Sequence, residues 1–339
     1  MKDIARELGV SVVTVSKVLR NHEDISEETR QRVLKRVREL NYQPNPVARA
    51  LVTGRSYTVG LIVPDLLHPF FAEVATGLSS ALRRKNYSLL ISSSEGDAEL
   101  ERQEVKRLLG RRPDAIVMAS TQATVESLRR IEEQKVPYVL IDRAFLGMPA
   151  NFVGVDDVKV GRMATDHLIA VGCRRIAHIR GATTSTAIGR VEGYHQALLK
   201  HQMTPLEGYV ITGRSADVDS WSSGHEAMKK LLALNPSPDG VFCYNDPNAL
   251  GAMDAIFEAG LRVPQDIAVI GCGNLHLDRS LRVPLSSIDQ QSVAIGERAG
   301  KLALSVIEAK TPPQPKSILL EPSVVEREST RRNIPRPVG

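Results

Sequence analysis

From Thr58 onward the chain alternates short apolar runs with longer stretches of helical period, and nothing else in the sequence restricts its fold so tightly. The strand candidates are Val59–Val63, Ser88–Ser92, Ala115–Met118, Tyr138–Ile141, Phe152–Val155, Ile176–Ile179, Gly208–Ile211, Gly240–Cys243, Ile267–Ile270 and Ser317–Leu320. Helix candidates lie between most of them, among them Phe70–Lys85, Leu100–Leu109, Val160–Val171, Val191–Lys200, Gly224–Leu234, Asn248–Ala259 and Val293–Glu308. Such alternation implies parallel sheets covered by helices on both faces. A span of about 280 residues exceeds one comfortable α/β core, so two lobes are expected.

The first segment differs in charge and in period. Residues 1–60 hold 11 Lys/Arg against 7 Asp/Glu, a net +4, while the whole chain is +5. The basicity is therefore concentrated in a small N-terminal unit, which suits a polyanionic partner. Residues 2–8 read as a short helix with Ile4, Ala5 and Leu8 on one face. Gly9-Val10-Ser11 breaks it, and Ser11 is placed to cap a second helix from Val12 to Leu19. Ser26-Glu27-Glu28-Thr29 starts a third, with Val33, Leu34, Val37 and Leu40 at helical spacing. Two helices joined by a tight Gly-containing turn, followed by a third, make a helix-turn-helix unit. Pro44 and Pro46 end it.

Other classes lose support. A 42% apolar and 24% charged chain is neither disordered nor fibrous. No apolar run reaches about 18 residues, so no membrane span is expected. The N-terminus lacks the apolar core of a signal peptide, which points to the cytoplasm. Cys173, Cys243 and Cys272 are far apart and show no CxxC spacing, so buried thiols are expected rather than a disulfide or zinc framework. The eight histidines show no paired ligand spacing, and no metal or cofactor is expected. Dinucleotide, P-loop, zinc-protease and nucleophile-elbow motifs are absent, so the chain does not read as an enzyme.

In the helix-turn-helix unit, the second helix offers Ser11, Val12, Val13, Thr14, Ser16 and Lys17 at its N-terminal and outer side, the end that enters a major groove. Hydroxyls and a helix N-terminus suit phosphates. Lys17 suits guanine, and Val12 or Val13 suits a thymine methyl.

Ile4-Ala5-Arg6-Glu7-Leu8-Gly9-Val10-Ser11 and Thr14-Val15-Ser16-Lys17-Val18-Leu19 closely resemble the opening of LacI/GalR-type bacterial transcription regulators. Ser26–Arg30, Asn41-Tyr42-Gln43-Pro44-Asn45, Ala48-Arg49-Ala50-Leu51, Val59–Ile62, Asn245–Gly251 and Arg327–Thr330 extend the likeness over nearly the whole chain. The resemblance implies a helix-turn-helix headpiece at residues 1–43, a hinge helix and linker at 44–57, a two-lobed α/β core like periplasmic sugar-binding proteins at 58–330, and a tail at 331–339. It implies a regulator, more often a repressor, that binds double-stranded operator DNA of pseudo-palindromic sequence as a homodimer, in the bacterial cytoplasm at the nucleoid. Ala48 and Leu51 then join the DNA contacts, with Leu51 wedged in the minor groove. Residues 331–337 hold two prolines and cannot form the added C-terminal helix of tetrameric relatives.

The same resemblance places a small-molecule effector in the interlobe cleft, where ligands of α/β sheets bind. It carries over Phe71, Asp142, Arg143, Arg190, Trp221, Asn245, Asp246 and Gln290 as effector contacts. One departure stands out. Many relatives place an Asp third after the strand matching Ile267–Ile270, whereas this chain reads Gly271-Cys272-Gly273-Asn274. With that carboxylate missing and Arg143 and Arg190 kept, the expected effector is a sugar or, better, a sugar acid. A solute-binding module and an α/β enzyme with an added headpiece are the alternatives.

Overall fold

The computed structural model describes residues 1–332 except 20, 21, 23, 43–49, 51, 52, 122, 123, 146, 214–216, 310 and 312. Contacts divide the chain into Met1–Ser56 and Tyr57–Gly339.

Among the described residues the first unit shows three full helices, α1 (Lys2–Leu8), α2 (Val12–Leu19) and α3 (Glu27–Glu39). Gly9 ends α1 at φ 65°, a left-handed value that glycine adopts without a Cβ penalty. The Val10 N–H donates back to the Ala5 carbonyl at 3.0 Å, which turns the chain sharply. Ser11 Oγ then accepts from the Thr14 N–H at 3.0 Å, and Ser26 Oγ from the Thr29 N–H at 3.4 Å. These caps satisfy donors that a helix start leaves open. Ile4, Ala5, Val15, Val18 and Val33 form the buried centre.

The second unit holds two six-stranded sheets. One lobe begins with β1 (Thr58–Val63), α4 (Pro69–Arg83), β2 (Ser88–Ser93), α5 (Ala98–Gly110), β3 (Ala115–Met118), α6 (Glu126–Glu133), β4 (Tyr138–Ile141) and β5 (Phe152–Val155). The other is α7 (Asp157–Ala170), β6 (Ile176–Arg180), α8 (Ser185–Lys200), β7 (Val210–Thr212), α9 (Ser220–Leu232), β8 (Gly240–Cys243), α10 (Asp246–Glu258), β9 (Ala268–Cys272) and β10 (Ser286–Asp289). The chain returns to the first lobe with α11 (Ser292–Glu308) and β11 (Ser317–Leu320), then crosses once more to place β12 (Ser323–Val325) in the second. Strand orders are β11-β5-β4-β3-β1-β2 and β12-β10-β9-β8-β6-β7. All pairs are parallel except β12 on β10.

Both faces of each sheet are covered, which is why the strands read as near-continuous apolar runs. Val59, Leu61 and Val63 pack under α4 and α11, while Ile62, Ile116 and Met118 pack under α5 and α6. Helices α4 and α11 nearly touch: a Cβ on Gly77 would lie 2.0 Å from the Val293 carbonyl oxygen, and one on Gly296 2.0 Å from that of Val74. Only glycine admits that approach.

Two strands lie outside the sequence expectation, β10 and β12. Ser286-Ser287-Ile288-Asp289 has a single apolar residue, yet Ser286 and Ser287 are fully buried. Their hydroxyls are satisfied internally: Ser286 Oγ donates to the Arg327 carbonyl at 3.0 Å and Ser287 Oγ to Asp246 at 2.6 Å. Helices α7 and α8 begin earlier than expected. Asp156 and Thr184 cap them, accepting from the Lys159 and Ala187 N–H groups at 3.1 and 3.2 Å.

Candidate functional site

The outer face of α2 is built by its cap and its core residues. Val15 and Val18 face inward, which turns Val12 and Val13 outward with 41% and 62% of their surfaces exposed. Ser11 Oγ and Thr14 Oγ1 lie 2.9 Å apart beside them. The helix N-terminus thus presents two apolar groups, two hydroxyls and a positive dipole end together, the combination that meets a groove edge and its phosphates. Lys17 is ion-paired with Asp24 beyond the end of α2. That hydrogen bond holds the Asp24 carboxyl below its usual range. Both side chains reach solvent, with 35% and 53% of their surfaces exposed, so the pair contributes little stability. Ala48 and Leu51 lie outside the described residues.

Between the two lobes lies a second candidate site. It is lined by His68, Phe70, Phe71, Asp142, Arg190, Asp217, Tyr244, Asn245, Cys272 and Gln290. Most of these follow strand carboxyl ends, as expected of α/β sheets. The space is about 20 Å³, room for roughly one water molecule. Lobe-to-lobe contacts close it. Arg143, after β4, is ion-paired with Asp217 before α9, and its Nη1 donates to the Ser120 carbonyl at 3.1 Å. The Ala144 N–H donates to Ser185 Oγ at 3.1 Å. Asn245 Oδ1 accepts from the Asn248 N–H at 2.9 Å and so caps α10. Its Nδ2 is thereby left to donate to His68 Nε2, 3.1 Å away. Burial pushes the His68 pKa down, so the ring is neutral and carries its proton on Nδ1.

Arg190 is also committed to protein partners. Its Nε donates to Asp157 at 2.9 Å, its Nη1 donates to the Tyr244 carbonyl at 2.5 Å, and its guanidinium lies 4.7 Å from the centre of the Tyr244 ring. Asp142 sits at a left-handed φ of 62°, and burial raises its pKa to about 7 against the pull of Arg143.

Residues 1–45 match the family described as bacterial regulatory proteins, lacI family, and residues 165–330 match the periplasmic binding protein-like domain. The chain is 33% identical over 314 residues to the HTH-type transcriptional repressor PurR of Haemophilus influenzae (strain PittEE), covering 91% of each. The chain belongs to the LacI family. It is a DNA-binding transcriptional repressor controlled by a small molecule. It is also 33% identical over 332 residues to the ribose operon repressor of Escherichia coli (strain K12), covering 97% of this chain and 99% of that one. The Lac repressor dimer bound to operator and the anti-inducer ONPF superposes with a TM-score of 0.84 at 27% identity, over 97% of this chain and 98% of that one.

Five of the eight residues carried over from the LacI resemblance line the cavity: Phe71, Asp142, Arg190, Asn245 and Gln290. Three do not. Trp221 is 44% exposed; its Nε1 donates to Asp254 at 3.0 Å and its ring stacks on His225. Ser220, Ser223 and Gly224 take the inner face of α9, which turns Trp221 outward. Asp246 points into its own lobe, accepting from Ser287 Oγ and from the Leu275 N–H at 3.1 Å. Arg143 is held behind the lining by Asp217. The two guanidinium groups kept by the sequence are not free in the cleft: Asp142, Asp157 and Asp217 stand against them. Sequence reading missed His68, Phe70, Asp217, Tyr244 and Cys272; no local motif marks the first three, while Tyr244 adjoins the Asn245–Gly251 segment and Cys272 lies in Gly271-Cys272-Gly273-Asn274.

Gly273 has a φ of 138°, and a Cβ there would lie 2.8 Å from Asp246 Oδ2. The absent side chain leaves the room that Asp246 fills. Asp246 stands close to Asp278, and both carboxyls are buried. Burial and the Asp246 charge raise the Asp278 pKa to about 9. A folded-state value above the unfolded one favours the protonated form. Its stabilisation is complete below about pH 4 and is lost as pH rises towards 9. Asp278→Asn is neutral throughout, so its melting temperature should exceed that of the parent by several degrees at about pH 8 and differ little at about pH 4. An equal difference at both values would show that Asp278 does not hold a proton.

Proposed function

We propose that this repressor binds a pseudo-palindromic operator as a homodimer, reading each half-site with the N-terminal face of α2, and that a small polar effector between the lobes shifts their closure. The exposed Val12–Val13 pair beside the Ser11 and Thr14 hydroxyls carries the DNA assignment. Two headpieces on a two-fold axis match two half-sites. The likeness to an operator-bound Lac repressor dimer supports the same arrangement. Ligand control follows from differential affinity: only a molecule that prefers one closure state changes DNA binding. The protein acts where the DNA is, in the cytoplasm, and no catalytic role is assigned to it. No helix among the described residues is long and apolar enough to cross a membrane. The decisive assay is fluorescence anisotropy with a candidate operator and a scrambled duplex. Each mismatched base pair should cost about 1–3 kcal/mol. Equal affinity for the scrambled duplex would remove the assignment.

The first lobe offers a surface for the partner. Strand β2 is a sheet edge, and a groove between it and α4 is lined by Leu66, Ala72, Ala75, Leu89 and Ile91. Leu66 and Ile91 are exposed, and grouped apolar exposure of this kind marks an association surface. Replacing both with Glu should convert the dimer to a monomer by light scattering, with the core's circular dichroism unchanged. A parent protein that is already monomeric, or a double variant that stays dimeric, would rule out this surface.

A further inference from the structure

Among the described residues, two buried polar atoms of the interlobe cavity have no protein partner: His68 Nδ1 and Gln290 Nε2, on side chains 6% and 3% exposed. Both residues line the cavity, and both atoms are donors. Gln290 is fixed in orientation because its Oε1 accepts from the Cys272 thiol at 3.1 Å, which leaves the amide nitrogen over. His68 is fixed because Asn245 donates to its Nε2. A buried donor without an acceptor costs free energy, and sites that recognise a ligand are where such a cost is tolerated.

We infer that the effector is an uncharged, oxygen-rich small molecule whose acceptors meet His68 Nδ1–H and Gln290 Nε2–H and whose own donor meets Asp142. This rests on the reading of the cavity as the effector site. The charges decide against an anion. Arg143 is spent on Asp217 and the Ser120 carbonyl, and Arg190 on Asp157 and the Tyr244 carbonyl. Among the described residues of the lining and its immediate shell, three carboxylates stand against two guanidinium groups that are already paired, which leaves no free cation there for a carboxylate or phosphate, and an unpaired buried charge is costly. A cation fares no better at the other end, where it would face two N–H donors. Asp142 accepts instead: its Oδ2 lies 3.4 Å from Arg143 Nε, and its side chain reaches the lining. Phe70 and Phe71, with ring centres 5.1 Å apart, supply an apolar wall for carbon-bound hydrogens. The sugar-acid expectation is therefore replaced. A space of about 20 Å³ holds no such molecule, so the lobes part to admit it.

The test uses the full-length protein in thermal-shift and calorimetric titrations with probes matched in shape and differing in charge: D-glucose, D-glucuronate and D-glucosamine; D-ribose and D-ribonate; inosine and inosine monophosphate. A neutral member should raise the melting midpoint, and its anionic counterpart at equal concentration should not. Gln290→Glu, which keeps the shape and turns a donor into an acceptor, should weaken the neutral ligand by about tenfold or more. His68→Gln serves as the second variant, and circular dichroism reports on folding. If an anionic member binds more tightly and Gln290→Glu still alters its affinity, the uncharged class is wrong and the cavity stands. If a neutral ligand binds both variants as it binds the parent, the cavity itself is wrong. No shift from any neutral member overturns the inference as well.

Discussion

Raising salt from about 50 to about 200 mM should weaken operator binding by about 10³–10⁵-fold, the loss expected for roughly 6–10 phosphate contacts. The dependence should come from the first unit, because a net +4 of the chain's +5 lies in residues 1–60. Lys17→Ala should relax base preference more than it lowers the salt slope, since a base contact specifies and a phosphate contact only positions. Leu51→Ala should weaken operator binding while the circular dichroism of the core is unchanged. A flat salt response would refute the reading of this basic segment as the DNA-binding surface.

The second large effect concerns the lobe interface. Arg143 is 2% exposed and stands between two buried carboxylates, Asp142 and Asp217. Arg143→Ala should destabilise the core by about 3–5 kcal/mol, because two acids are left without their cation. In a core of this size that lowers the melting temperature by about 5–15 °C. The loss should shrink at low pH, where the stranded carboxylates protonate, and adding Asp217→Asn should recover part of it. If the single variant melts with the parent protein, the ion pair contributes nothing to the lobe contact.

The headpiece was legible because each of its devices is local. Ser11 lies three residues from the N–H it caps, Gly9 sits at the turn, and the apolar period of α3 is read along one helix. The β/α alternation was legible for the same reason: strands buried on both faces show as apolar runs. The strands β10 and β12 were not. Ser286 and Ser287 are buried in a sheet only because Arg327, Thr330 and Asp246, all distant in sequence, satisfy their hydroxyls. The cavity was half legible. Asn245 sits in a motif, but its partner does not: His68 meets Asn245 across 177 positions, and likewise Arg143 meets Asp217 across 74. Trp221 was misplaced because the rotation of α9 is set by serines and a glycine, residues whose inward preference shows only against α10.

The chain passes between the lobes three times, after β5, after β10 and after β11. Neither lobe is therefore a continuous stretch of polypeptide. On the ribosome, the first five strands of the leading lobe emerge long before α11, the helix that covers one face of their sheet, and before β11, which closes its edge. Residues 58–155 must wait, with one face of that sheet covered by α4 alone, while the whole middle of the protein is synthesised. Ser317–Leu320 and Ser323–Val325 leave the exit tunnel almost together, so both lobes become complete at nearly the same moment. A nascent chain arrested near residue 290 is the species that general chaperones should hold most firmly.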